Sequence, residues 1–185
     1  DERVQKKLLA ICLGIRHNRP MNYPELTLDL LEACVRRCIP GTKSMAFHRI
    51  PTGKFNTSYF VDADDLKLVL RIAPPEDSVF VFYERGMMKQ EPEIHDLLLM
   101  GPRIPVAPII AFDDSHTIID RDFLLMERLP GQPMCDASNF KEDVILQEVG
   151  DCLAQTHQLT AKSYGYLGPH RPMEPQSTWQ EAFVI

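Results

Sequence analysis

A turn-forming loop between two apolar runs, residues 50–58, carries side chains suited to binding phosphate. Gly53 would let the backbone approach a ligand closely, and Asn56 and Ser58 could donate hydrogen bonds to phosphate oxygens. A glycine and an asparagine also occur in ordinary hairpin turns that bind nothing. The loop therefore predicts either a phosphate-binding turn or a plain hairpin.

Arg71 and Glu91 are a second candidate, an ion pair that could hold nucleotide phosphates. In the run KLVLRIA (67–73), three aliphatic residues alternate with a set that contains Arg71, so the arginine lies on the opposite face of a strand. Glu91 begins a predicted helix, from which its carboxylate could reach the guanidinium and fix its position. Glu93 competes for this contact. The alternatives are that Arg71 is simply a solvated strand residue and that Glu91 only reflects the preference of helix starts for acidic residues.

The run FLLMERLPG (123–131) is a third candidate, because an apolar strand leads directly into Pro-Gly. Alternate residues of a strand present their backbone groups in the same direction. The carbonyl of Glu127 and the N–H of Leu129 could therefore pair with the edge of a base, and Met126 belongs to the same run. The alternative is an edge strand followed by a linker.

Two other segments match functional motifs only in part. Residues 41–44 have the end of a Walker phosphate-binding loop, but they lack its first glycine and follow a predicted helix. Residues 118–123 look like a metal-binding aspartate segment, but they precede the Pro-Gly run. We interpret them as a turn that leads into a strand.

Short strands and one helix surround the candidate residues. Runs rich in β-branched and aromatic residues, divided by turn-forming residues, predict antiparallel strands. The predicted strands are 45–50, 57–63, 67–73, 108–114 and 122–129, with a helix over about 91–100 between the third and the fourth. This order predicts an α+β fold.

Helices are also predicted on both sides of this block. Two are predicted in the first 40 residues, from the helical spacing of Val4, Leu8, Ile11 and Ile15 and then of Leu26, Leu30, Cys34 and Cys38. Asn22 and Glu25 fit a capping box for the second of them.

Beyond the Pro-Gly linker, helical spacing predicts a further amphipathic helix from Ile145 to Thr156. A Gly- and Pro-rich loop over 163–176 follows. Ser177 and Gln180 then have capping-box spacing. The helix that they open would begin within two turns of Ile185, which predicts a truncated sequence.

Composition argues against several classes of partner. The formal net charge is −6 with acids and bases interspersed, whereas duplex nucleic acid usually requires a basic face. No stretch approaches the roughly 20 apolar residues that cross a bilayer, so no membrane partner is expected. Five scattered cysteines indicate reduced thiols in a cytoplasmic protein rather than disulfides or a metal site.

The order of these segments resembles the aminoglycoside phosphotransferase and choline kinase-like superfamily. GKFNTSYFV resembles its nucleotide-binding hairpin, LVLRIA its strand with the phosphate-binding cation, and FLLMERLPGQPM its hinge. Glu91 followed by IPVAP (104–108) resembles the helix glutamate and the segment after it, and LAQTHQL and YGYLG resemble the connecting region. Each motif is weak alone, but the ordered set over about residues 45–168 is specific.

The resemblance implies the N-terminal lobe of a kinase that transfers the γ-phosphoryl group of ATP, with Mg²⁺, to a hydroxyl of an unidentified small molecule. It implies ATP-binding roles for Gly53, Asn56, Ser58, Arg71, Glu91, Met126, Glu127 and Leu129. The expected organisation is a helical N-terminal extension (1–41), a kinase-like lobe of five antiparallel strands and one helix (42–130), and a linker with the start of a helical C-terminal lobe (131–185).

Two features depart from the family pattern. Arg71 stands where kinase-like folds commonly have lysine, although its guanidinium also suits phosphate oxygens. None of the six histidines begins the His-x-Asp triplet of the family's catalytic loop. We therefore expect no catalytic residue in this chain, magnesium ligands beyond residue 185, an inactive fragment, and self-association through exposed lobe surface. A non-catalytic, pseudokinase-like nucleotide-binding or interaction module is the alternative.

Overall fold

A computed structural model describes residues 25–51, 55–75, 85–101, 104–138, 140–167 and 173–183. The helix predicted near the start of the chain lies outside these residues, and so do Asn22 and Gly53.

Five strands form one antiparallel sheet. They are β1 (Met45–Ile50), β2 (Thr57–Ala63), β3 (Leu66–Ile72), β4 (Ile109–Asp113) and β5 (Phe123–Glu127). Their order across the sheet is β1-β2-β3-β5-β4, and every neighbouring pair is antiparallel. The strand bounds differ from the predicted ones by at most two residues, and the α+β prediction is confirmed.

Four α-helices lie in the described part of the chain. They are α1 (Leu28–Cys38), α2 (Glu91–Met100), α3 (Glu142–Thr156) and α4 (Trp179–Phe183). Short 3₁₀ turns precede α2 at Met87–Gln90 and α3 at Met134–Asp136.

The alternation of β3 separates two environments. Leu68, Leu70 and Ile72 are buried on one face, where they share a core cluster with residues of α1. Val69 lies on the other face and packs against a second, smaller cluster. Because successive side chains of a strand point to opposite faces, Arg71 belongs to this second face, as the sequence predicts.

The start of α1 differs from the prediction. The helix begins at Leu28, with Thr27 in an extended conformation as its N-cap, so Glu25 lies outside it and makes no capping box. Glu25 instead forms an ion pair with Arg49 of β1. The buried side of α1 is also rotated from the predicted stripe, since Leu31, Cys34 and Val35 are its buried residues and Leu26, Leu30 and Cys38 are only partly buried against the core.

The turn between β2 and β3 is fixed to the residues before β1. Asp64 has a left-handed backbone conformation, with φ of 49°. Its carboxylate accepts hydrogen bonds from the backbone N–H groups of Lys43 and Ser44, and these bonds lower its pKa. The hairpin and the start of β1 are thereby held in one arrangement.

The last helices pack loosely in the described part of the chain. α3 has no buried residue among those described. α4 begins at a capping box one residue later than predicted, because the N–H of Glu181 donates to the Thr178 hydroxyl and the N–H of Thr178 donates to the Glu181 carboxylate. None of the helices among the described residues is long and apolar enough to cross a membrane.

Candidate nucleotide site

Arg71 and Glu91 meet on the second face of the sheet. Nη1 of Arg71 donates to Oε2 of Glu91 at 2.7 Å, and both side chains are partly buried. Ser58 lies directly opposite Arg71 in the β2–β3 register. The predicted contact is confirmed for Glu91, whereas Glu93 is exposed.

Burial determines the electrostatics of this pair. It raises the pKa of the Glu91 carboxyl above its ordinary value, against the opposing effects of Arg71 and His95. The carboxylate is thus held in a site that favours its charge less than water does. Such a group positions a cation at the cost of some stability of its own.

The segment before Glu91 is anchored by Met88. This side chain is buried with Ala107, Leu124 and Met126 in the second core cluster. His95, one turn into α2, lies 2.7 Å through Nδ1 from the carbonyl oxygen of Ala107. These contacts fix the start of α2 against the sheet and so set the position of the Glu91 carboxylate.

A cavity of about 390 Å³ opens beside the ion pair. Its size is within the usual range of small-molecule sites. Asn56 and Phe55 line it from the β1–β2 loop, and Arg71 and Glu91 line it from the sheet and α2. The remaining described wall is formed by residues 73–75, 85–89, His116, Arg121 and Asp122.

His116 and Asp122 are cavity residues that the sequence analysis missed. Nε2 of His116 lies 2.8 Å from Oδ1 of Asp122, whose side chain is buried. The carbonyl of Asp122 also accepts a hydrogen bond from the N–H of Ala73, at the end of β3. Residues 118–123 form the predicted turn into β5, and no sequence spacing indicates that this turn closes a cavity.

The end of β5 leaves backbone groups available. The N–H of Glu127 donates to the carbonyl of Pro108, and the N–H of Arg128 donates to the carbonyl of Lys67. In an antiparallel ladder the partner of a hydrogen-bonded pair normally returns a bond, but proline has no N–H. Pro108 therefore cannot donate to the Glu127 carbonyl.

The β3 side of the ladder leaves the same carbonyl unused. Glu127 is paired with Leu68, and Arg128 is paired with Lys67 through a hydrogen bond. Hydrogen-bonded and non-hydrogen-bonded pairs alternate, so Glu127 and Leu68 form a non-hydrogen-bonded pair. The N–H of Leu129 donates to no backbone carbonyl among the described residues.

The candidate residues thus lie at two ends of β5. Asn56, Ser58, Arg71 and Glu91 lie near the start of β5, where Arg71 pairs with Leu124. Met126, Glu127 and Leu129 lie at the other end. Leu124 and Glu127 are three steps apart along the strand, about 10 Å at the usual rise per residue.

A family profile for the phosphotransferase enzyme family matches residues 47–183. The chain belongs to this family. The match includes the whole β1–β5 sheet except the first two residues of β1, together with α2, α3 and α4. No curated protein matches the chain at a significant level.

Solved structures with the same fold include two bacterial proteins. One, from Ralstonia eutropha, is assigned as an aminoglycoside phosphotransferase and has 20% identity and a TM-score of 0.55 over 73% of this chain and 39% of its own. The other, from Haemophilus somnus, is assigned as a fructosamine-3-kinase and has 20% identity and a TM-score of 0.51 over 77% of this chain and 44% of its own.

A third structure is the aminoglycoside phosphotransferase APH(4)-Ia, in a ternary complex with AMP-PNP and hygromycin B. It has 13% identity and a TM-score of 0.56 over 82% of this chain and 47% of its own. The chain therefore spans less than half the length of these family structures. At these identities the likeness establishes the fold.

The described residues of this family member bring two carboxylates to the cavity, those of Glu91 and Asp122. No group of three or more His, Cys, Asp or Glu side chains among them is arranged to hold a metal ion. In the cavity, the Glu91 carboxylate bonds Arg71 and the Asp122 carboxylate contacts His116.

Proposed function

We propose that this chain is the ATP-binding lobe of a small-molecule kinase, which transfers the γ-phosphoryl group of ATP to a hydroxyl of a small acceptor. The observation that carries the proposal is the Arg71–Glu91 ion pair at 2.7 Å. It lies on the same sheet as a strand end whose Glu127 carbonyl and Leu129 N–H have no backbone partner among the described residues. A partly buried carboxylate that holds a cation beside a cavity is suited to positioning phosphates. ATP, when bound, supplies the phosphoryl group.

The base of the nucleotide would bind at the end of β5. The carbonyl of Glu127 is an acceptor that neither neighbouring strand uses, and the N–H of Leu129 is a donor two residues further on. The adenine edge requires such a pair. Met126 and Val69, which pair across β3 and β5, would contribute apolar contact to the ring.

The phosphates would bind at the other end. Arg71 would supply a planar set of donors, and Glu91 would hold the guanidinium in place. Asn56 lines the cavity and Ser58 faces Arg71 across the ladder, which supports a proposed role for both as donors to phosphate oxygens. Gly53 keeps its proposed role in this loop.

Catalysis would require residues other than these. No His-x-Asp triplet occurs in the chain, so we propose that the catalytic base and the magnesium ligands lie outside the 185 residues. The proposed organisation is an N-terminal extension at 1–41, the nucleotide-binding lobe at 42–130 and the first part of a second lobe at 131–185. That second lobe would hold the acceptor.

Calorimetric titration with ATP and adenosine tests the proposal. Arg71→Met should weaken ATP binding by more than tenfold, because a hydrogen bond to a charged group contributes about 1.5–3 kcal/mol. Adenosine binding should be unchanged. Lys67→Met is the matched control, since it removes a cation from the same face of β3 outside the cavity. Absence of ATP binding by the unaltered chain, or an equal effect of both substitutions, would contradict the proposal.

A further inference from the structure

Three cations among the described residues of the cavity wall have no part in the Arg71–Glu91 pair. They are Arg85, Lys89 and Arg121. They come from two separate segments, the turn before α2 and the residues before β5. The whole chain has a formal net charge of −6, so a cluster of cations in one cavity is a local departure from its overall charge.

The carboxylates of the described wall are already used by other groups. Glu91 accepts from Arg71, and Asp122 contacts His116. The three cations therefore gain no carboxylate partner from the described residues of the wall itself.

Among the described residues, the acids that approach Lys89 and Arg121 are exposed to solvent. Lys89 lies 3.7 Å from Asp114, whose side chain is 55% exposed. Arg121 donates through Nε to Asp120, whose side chain is 75% exposed, while the arginine itself is only 9% exposed. Water competes with such partners, so each contributes little to neutralising its cation.

The backbone that carries these cations is also held in place. Met88 is 3% exposed in the second core cluster, which fixes the turn between Arg85 and Glu91. Within that turn the N–H of Lys89 donates to the carbonyl of Gly86. Arg121 is fixed by its own burial and precedes Asp122, whose carbonyl is bonded to the end of β3.

We propose that Arg85, Lys89 and Arg121 form an anion subsite that takes a phosphate group beyond those held by Arg71. The phosphate is either the terminal group of the bound nucleotide or part of a free phosphate anion. If the phosphate is the terminal group of the nucleotide, this subsite rests on the proposed function. Arg121 is buried, Lys89 is partly buried and Arg85 is exposed at the rim. A buried or partly buried cation attracts a phosphate more strongly than a surface cation does.

The test compares two double variants of the full chain by calorimetric titration with ATP, adenosine and tripolyphosphate. Arg85→Gln with Lys89→Gln removes two cations of the subsite and leaves the buried Arg121 in place. Arg36→Gln with Lys67→Gln is the control, because it removes the same charge at sites outside the cavity. Melting temperatures measured alongside establish that all three proteins are folded.

The subsite variant should bind ATP about tenfold more weakly than the control, which corresponds to about 1.4 kcal/mol, with adenosine binding unchanged. The difference should shrink at high salt. A parallel loss of tripolyphosphate binding assigns the subsite to free phosphate anions as well. A loss confined to ATP assigns it to the nucleotide alone.

Equal ATP and tripolyphosphate affinities in the two double variants would overturn the subsite and leave the proposed function standing. Failure of the unaltered chain to bind ATP or adenosine would contradict the proposed function. In that case, tripolyphosphate binding that is weakened only in the subsite variant would still support the subsite. If the unaltered chain bound none of the three ligands, both proposals would be wrong.

Discussion

At the scale of single residues, burial and ion pairing act in opposite directions on the Glu91 carboxyl. Its bond to Arg71 favours the ionised form, but burial opposes that form more strongly and raises the pKa. A raised pKa in the folded state means that the folded chain holds this proton more tightly than the unfolded chain does. The corresponding stability is present below the unfolded pKa and is lost as pH rises through the raised pKa.

Replacement of Glu91 by Gln should therefore leave the unfolding free energy at pH 7 unchanged or higher. The amide keeps an acceptor for Arg71 and removes the desolvated charge. Stability between about pH 4 and pH 7 should also vary less in this variant. Urea unfolding across that range measures both effects. The exposed Glu93→Gln is the control, and a clear loss of stability at pH 7 confined to Glu91→Gln would contradict the interpretation.

At the scale of elements, α1 covers the first face of the sheet and buries two thiols. Cys34 is fully buried and Cys38 partly buried, and both are free. Burial raises the pKa of Cys34 to about 12 and that of Cys38 to about 11, from an ordinary 9.0. The thiols of α1 thus act as small apolar side chains in the core.

This burial predicts a loss of stability in alkali. Both thiols ionise in the unfolded chain near pH 9 but remain neutral in the folded chain until about pH 11 to 12. Their contribution is full below pH 9 and is lost as pH rises towards 12. Thermal unfolding across that range measures it. In the Cys34→Ala variant, stability should decline less steeply between pH 8 and pH 12 than in the unaltered chain, with each protein compared with its own value at pH 8. An equally steep decline would contradict the assignment.

A second feature at the scale of elements is Pro108, which ends the pairing of β4 with β5. Pro108→Ala restores an N–H that can donate to the Glu127 carbonyl, in competition with a bound base. Adenosine affinity should fall by about threefold to tenfold, the effect of one neutral hydrogen bond. Calorimetric titration with adenosine measures it, and the exposed Pro105→Ala is the control. Unchanged adenosine affinity in Pro108→Ala would remove Glu127 from the base site.

The elements were predictable where the sequence pattern is local. Period-two alternation in β3 fixes both the strand and the face of Arg71, and the Pro-Gly run marks the end of β5. The start of α1 was predicted wrongly because Glu25, which fits a capping box, is paired with Arg49 twenty-four residues away. A contact at that separation leaves no periodic signal in the sequence.

The candidate site was predictable only in part: the ion pair could be predicted from the sequence, but the cavity could not. The Arg71–Glu91 contact follows from motif order, since both residues occupy recognisable positions in the strand and the helix. The cavity does not follow, because His116, Arg121 and Asp122 reach it only through the fold of the β4–β5 connection. Their spacing in the sequence suggested a turn, and the turn is what the structure contains.

At the scale of the whole molecule, the two faces of the sheet differ in what packs against them. One face is a closed core under α1. The other combines a small cluster with the cavity and the ion pair.

The helices after the sheet, α3 and α4, carry exposed apolar side chains. Leu146, Val149 and Leu153 recur at helical spacing and are 55%, 49% and 53% exposed in the described part of the chain. Trp179 and Phe183 of α4 stack on each other and are also exposed. Apolar stripes of this kind commonly mark surfaces that pack against other protein.

The chain is therefore predicted to self-associate through α3 as its concentration rises. Substituting Lys for both Leu146 and Leu153 places charge in the stripe and should shift sedimentation towards the monomer, with little change in melting temperature because neither residue is buried. Gln147→Lys with Ala154→Lys adds the same charge on a neighbouring face of α3 and is the control. Sedimentation velocity over a range of concentrations distinguishes the cases. An unaltered chain that stays monomeric throughout, or a control that dissociates as fully as the stripe variant, would show that the exposed residues of α3 do not mediate association.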